Sequence, residues 1–166
     1  FRSLELNLPG LSTKDPRNED PEIKRYRSLD ISSLNDGSAF RILKVKEAIK
    51  EKFTIEEIHN NTGIDPWFLN EIAEIVYLES HHNSLDDLEL LKKNGFSDIQ
   101  VGALTNRTAE EIRHMRKERD LKPVFKVVDT CAGEFTAETP YSYSAYESTH
   151  DIKPLDGRKV MILGGG

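Results

Sequence analysis

A segment that occurs twice restricts the fold of this chain more than any other feature. The runs FTIEEIHNNT (53–62) and FSDIQVGALT (96–105) align without a gap. Each opens on phenylalanine, continues with a hydroxyl residue, and carries Glu or Gln three positions after that. Thr54 with Glu57, and Ser97 with Gln100, therefore read as capping boxes, in which each side chain satisfies the free backbone amide of the other residue. A turn and a second helix follow in both copies. Asp65-Pro66 starts the first, because Asp caps orphan amides and proline at the first helical position loses no hydrogen bond. Thr108 with Glu111 is a third box and starts the second. Leu69, Ile72, one of Trp67 and Phe68, and one of Ile75 and Val76 are expected to face inward; Ile112 and Met115 fall where Leu69 and Ile72 do. The pattern predicts an all-α array of short helices built on an internally duplicated helix–turn–helix unit, with copies over about 53–80 and 96–121.

Elsewhere the signals are shorter. Phe1, Leu4 and Leu8 have helical spacing and meet Pro9-Gly10, a stop signal, so they read as the last turns of a helix. Residues 12–19 read as a loop, and Asp20-Pro21 opens a helix to about Leu29. A helix over Ser38 to Lys52 places Phe40, Leu43, Ala48 and Ile49 opposite Lys44, Lys46 and Lys50, which read as a solvated face. Ser84 to Asn94 is a further helix, with Leu85, Leu88 and Leu91 inside and Gly95 at its end. Past Leu121 the character changes. Pro123 blocks helix continuation, and Val124, Phe125, Val127 and Val128 favour extended backbone. Ala137 to Tyr146 reads as extended or irregular, and His150 to Gly157 as a polar linker. Val160, Met161, Ile162 and Leu163 then run into Gly164-Gly165-Gly166, as the first strand and turn of a parallel α/β domain would. Both ends thus read as cut from something longer.

Charge narrows the function classes. The net charge is −6 over 166 residues, with 31% charged residues, a poor match to phosphate polymers or anionic membranes, which need Lys and Arg to neutralise them. From Phe53 to Glu79 the charged side chains are Glu56, Glu57, Asp65, Glu71, Glu74 and Glu79, without one Lys or Arg. The second copy is mixed, with Arg107, Arg113, Arg116, Lys117 and Arg119 against Glu110, Glu111, Glu118 and Asp120. A recognition helix carrying only acids would be repelled by DNA, so a nucleic-acid-binding helix–turn–helix module is the disfavoured alternative. One cysteine forms no internal disulfide, which suits a reducing cytoplasm. No apolar run approaches the roughly 20 residues of a membrane span.

Candidate chemistry is thin. Cys131 has Asp129 and Glu134 nearby but no histidine, and Lys126 is its one close cation in sequence, so a buried structural thiol is expected, with Asp129 and Thr130 capping a turn. His81 and His82 diverge by about 100° on a helix, and no third ligand is suitably spaced. His59 and His114 stand alone. Gly164 to Gly166 would cradle phosphate only with a helix N-terminus behind it. Trp67 and Tyr77 are expected in the core rather than at an interface. No catalytic, cofactor-binding or metal-ligating residue is assigned.

The segments IDPWFLNEI (64–72), GFSD (95–98), KPVFKVVDTCAGEF (122–135), YSYSAYE (141–147) and KVMILGGG (159–166) together resemble the large subunit of carbamoyl phosphate synthetases. The similarity spans essentially the whole chain and is strongest from Phe53 onward; Gly133 departs from it, alanine being commoner there. In that family the matching segment is the oligomerisation or connection domain, which joins the carboxyphosphate-forming half to the carbamoyl-phosphate-forming half. The resemblance implies that residues 1–10 are the tail of the preceding half and 11–121 the helical domain. It further implies that 122–157 is an extended connector packed on the helices, and that 158–166 opens the next domain. It implies a non-catalytic segment of a glutamine-dependent ligase that makes carbamoyl phosphate from bicarbonate, ammonia and two ATP for arginine and pyrimidine synthesis. ATP with Mg or Mn, and K, would be bound in the two synthetase halves. Those halves, other large subunits and a small glutaminase subunit are the implied partners, with no nucleic acid and no membrane. Phe125, Phe135 and some of Tyr141, Tyr143 and Tyr146 are expected to pack the connector onto the helices.

Overall fold

The computed structural model describes residues 10–11, 34–35, 37–38, 40–137, 139, 141–153 and 156–160. The expected helices over Phe1 to Leu8 and Asp20 to Leu29 lie outside these residues, as do Met161 to Gly166; Arg158 to Val160 carry no strand, and Val160 is exposed. The chain divides into two compact units, residues 1–120 and 121–166.

Six α-helices are described in the first unit: α1 (Arg41–Lys50), α2 (Ile55–Thr62), α3 (Pro66–His81), α4 (Leu88–Lys93), α5 (Asp98–Thr105) and α6 (Ala109–Glu118). The region expected as one helix from Ser84 begins instead as a 3-10 turn, Leu85–Asp87, capped by the Ser84 hydroxyl, and becomes α-helical at Leu88. Gly95 then takes a positive φ of 81°, closing α4 as a left-handed residue does.

The capping chemistry read from the sequence is present atom by atom. At α2 the Glu57 amide donates to Thr54 Oγ1 (3.1 Å) and the Thr54 amide donates to Glu57 Oε2 (2.7 Å). At α5 the Gln100 amide donates to Ser97 Oγ (3.2 Å) and the Ser97 amide to Gln100 Oε1 (3.0 Å). Both helices run 8 residues and end on a left-handed residue, Gly63 at φ 67° and Asn106 at φ 54°. Asp65 Oδ1 then accepts from the Trp67 amide (2.8 Å) to start α3, and Thr108 with Glu111 closes the box that starts α6. One difference has a physical reason. Gln100 is buried whereas Glu57 is exposed, and a neutral amide caps in a buried site without the desolvation cost of a carboxylate.

The first core gathers Leu11, Leu34, Val45, Ala48, Ile58, Leu69 and Ile72, with Phe53 and Ile75 packed against it. Leu88, Leu91, Phe96, Val101 and Ile112 are buried further along the chain. Two expectations need correcting here. Lys44 and Lys46 do not lie on a solvated face: they are 7% and 1% exposed, and only Lys50 of the three is outside. Trp67 and Phe68 both point outward, at 62% and 57%, although Leu69 and Ile72 face inward as expected.

In the second unit, β1 (Val124–Val127) pairs antiparallel with β2 (Ser142–Ala145), with Val124 opposite Ala145 and Val127 opposite Ser142. The stretch expected to run extended thus doubles back on itself. The β-branched residues favour strand, and a turn at Asp129 to Glu134 reverses the chain, so the second run of alternating residues satisfies the backbone of the first. Together the elements are mostly helical with one small two-stranded sheet.

Candidate functional site

Cys131 sits in that turn. Its amide donates to Asp129 Oδ1 (2.9 Å), its carbonyl accepts from the Glu134 amide (3.0 Å), and its thiol lies 3.9 Å from the Thr130 hydroxyl. Asp129 therefore caps the turn, as expected, while Ala132 and Gly133 carry the chain round at positive φ. Cys131 is half-buried rather than buried, in a turn whose residues Asp129, Thr130, Ala132, Gly133 and Glu134 are exposed. Lys126, its nearest cation in sequence, is committed elsewhere: Nζ reaches Asp151 Oδ1 at 2.7 Å and Glu147 at 3.7 Å. The bond to Asp151 holds the Lys126 ammonium above its usual range and the Asp151 carboxyl below its own. Among the described residues the sulfur's one polar neighbour is the Thr130 hydroxyl.

The histidines take separate local partners. His81 stacks on Tyr77 with centroids 4.2 Å apart, and its Nδ1 lies 3.0 Å from the Tyr77 carbonyl. His82 Nδ1 is 3.0 Å from Asp87, and His59 Nδ1 is 2.8 Å from the Ile64 carbonyl. Among the described residues no group of three metal-ligating side chains comes together.

Two ion clusters brace the helices, and sequence reasoning missed both. Lys46 Nζ meets Glu79 Oε2 at 2.5 Å and donates to the Leu11 carbonyl at 2.8 Å, tying α1 to α3 and to the segment at Leu11. Burial pushes the Lys46 ammonium below its ordinary range, and the Glu79 charge and hydrogen bond restore part of the loss. Glu79 Oε1 is buried without a hydrogen-bond partner among the described residues. In the second cluster Arg116 grips Asp98 with two bonds, Nε to Oδ1 at 2.8 Å and Nη2 to Oδ2 at 2.6 Å. Lys92 Nζ also donates to Asp98 Oδ1 (2.9 Å) and to the Phe96 carbonyl (2.6 Å). Burial works to raise the Asp98 carboxyl, but these two cations outweigh it and hold it below the usual range. Burial likewise lowers Lys92, opposed by Asp98.

What remains available to a partner is surface. Trp67 and Phe68 meet edge-to-face with centroids 5.0 Å apart, and Tyr77 further along α3 is 54% exposed, so Trp67 and Tyr77 are surface and not core residues. The signal was legible in part: α3 carries Trp67, Phe68, Leu69, Ile72, Ile75, Val76, Tyr77 and Leu78, more apolar surface than one neighbouring core can cover. Glu56, Glu57, Glu71 and Glu74 are exposed across α2 and α3, which leaves a nucleic-acid-binding role unsupported. Among the described residues no helix is long and apolar enough to cross a membrane.

Residues 1–120 match the family described as the carbamoyl-phosphate synthetase large chain, oligomerisation domain. Over the whole chain, similar proteins include the carbamoyl phosphate synthase large chains of Pasteurella multocida (40% identical) and of Neisseria meningitidis serogroup B (42%). That of Methanothermobacter thermautotrophicus is 40% identical, again over the whole chain. The chain spans 15% of the length of each of these relatives.

Proposed function

Since the chain belongs to the carbamoyl-phosphate synthetase large-chain family and matches its oligomerisation domain, we propose that it serves as a non-catalytic connection and self-association segment of a longer ligase. The observation that carries the reading is the family match over residues 1–120, joined by similarity to large chains through the rest of the chain. The structure supports it in kind. Two of the buried lysines are consumed in bracing contacts (Lys46 with Glu79, Lys92 with Asp98), whereas large aromatics are left outside.

In this reading the flanking halves form carboxyphosphate and carbamoyl phosphate, and they carry the ATP, the Mg or Mn, and the K. A small glutaminase subunit supplies the ammonia. Residues 122–157 connect the helical segment to the second half, with Phe125, Phe135, Tyr141 and Tyr143 as exposed aromatic contacts for it. The equal lengths and equivalent caps of α2 and α5 support an ancestral duplication of one helix–turn–helix unit. Sedimentation velocity of the 166-residue chain over a concentration series tests the self-association. A weight-average sedimentation coefficient that rises with concentration is expected, and a strict monomer throughout would overturn it. Carbamoyl phosphate formation by this chain from ATP, bicarbonate and ammonia would overturn the non-catalytic assignment.

A further inference from the structure

We propose that self-association joins two different helix faces: the outward face of α3 on one copy lies against the outward face of α6 on a second copy. The inference rests on the self-association reading above and names its surface. On α3, Trp67, Glu71, Glu74 and Tyr77 follow at helical spacing and all four are exposed, so they form one stripe with an aromatic at each end. Tryptophan and tyrosine are the side chains most enriched where interfaces concentrate their binding energy. The two acids between them have no ion pair among the described residues, and no Lys or Arg occurs from Phe53 to Glu79. A contact of this stripe with its own copy would set Glu71 and Glu74 against the same acids, which costs affinity. The second copy must therefore offer a different, cationic face.

Helix α6 has one. Arg113 and Lys117 are exposed one turn apart, and neither has an ion pair among the described residues. The other cations at this helix are engaged: Arg107 with Glu111, Arg116 with Asp98, and Arg119 with the Leu85 carbonyl. The spacings suit one another. Glu71 to Glu74 rises about 4.5 Å and Arg113 to Lys117 about 6 Å along their axes, so two intermolecular ion pairs fit a single helix crossing. One arginine or lysine would lie over Trp67, whose ring face attracts the cation, while one face of Tyr77 is already taken by His81.

Charge exchange tests the pairing. Sedimentation velocity is run on the full chain, on E71K/E74K, on R113E/K117E, on the variant carrying all four changes, and on W67A, with circular dichroism confirming helix content. Each charge-reversed pair is expected to weaken self-association about tenfold or more, and W67A about tenfold. The fourfold variant should return to within about threefold of the parent. A 1:1 mixture of the two reversed proteins should associate more tightly than either alone, because the reversed α3 of one then faces the reversed α6 of the other. If the parent associates and the reversals leave it unchanged, or if the fourfold variant and the mixture show no recovery, the α3–α6 pairing is wrong while self-association stands. A parent that stays monomeric removes both.

Discussion

Replacing Lys46 by methionine keeps a long unbranched stem in the core but deletes the charge that Glu79 faces. In the parent, Glu79 Oε2 sits 2.5 Å from Lys46 Nζ, and Glu79 Oε1 already lacks a hydrogen-bond partner among the described residues. Lys46→Met therefore leaves a mostly buried carboxylate with neither oxygen compensated, and the Leu11 carbonyl loses its donor. Removing one member of a buried pair costs about 3–5 kcal/mol. Glu79 keeps some exposure (15% of its side chain), which places the expected loss near the lower bound, about 3 kcal/mol. With a urea m-value of about 2 kcal/mol/M, the unfolding midpoint followed by helical circular dichroism at pH 7 should fall by about 1.5 M. The double variant Lys46→Met/Glu79→Leu should recover most of that, ending within about 1 kcal/mol of the parent, because two apolar side chains replace two desolvated charges. A single-variant loss below about 1 kcal/mol, or additive losses in the double variant, would refute the reasoning, since the carboxylate would then not depend on Lys46.

The Asp98 cluster predicts acid lability. Its folded carboxyl is held below the unfolded value of about 3.9, so its contribution is present at neutral pH and lost as pH falls from about 4 through the depressed value. Asp98→Asn should flatten that part of the stability–pH curve, and an unchanged acid limb would count against it. Ser97→Ala removes the hydroxyl that caps α5 and should cost about 1 kcal/mol in chemical denaturation. At Gly102 an added Cβ would lie 2.5 Å from the Arg107 carbonyl oxygen; Gly102→Ala must displace backbone between α5 and α6 and should cost about 1–3 kcal/mol by the same measurement. Cys131 should react with iodoacetamide in the folded protein no faster than a free thiol, and Cys131→Ser should change stability by less than about 0.5 kcal/mol. A markedly faster rate would reopen the nucleophile reading.

Helix starts were legible from sequence because capping is local. A serine or threonine followed three residues later by Glu or Gln closes its bonds within one turn, whatever lies across the core, and Thr54, Ser97 and Thr108 all do so. The inward positions Leu69, Ile72 and Ile112 followed from helical spacing for the same reason. Spacing says which residues share a face, but not how many faces are covered. The sequence shows Lys44, Lys46 and Lys50 along α1 but not which of them is covered; only the approach of α3 and of the segment at Leu11 turns Lys46 into a buried cation, because a lysine can leave water only where an acid and a carbonyl meet it. In the same way α3 has apolar residues on more than one side, and tertiary packing covers Leu69, Ile72 and Leu78 while leaving Trp67, Phe68 and Tyr77 to solvent. Bonds closed within one turn were determined by the sequence alone. Whatever depended on which element came to lie opposite, including the ion clusters and the outward aromatic face, was decided by the tertiary structure.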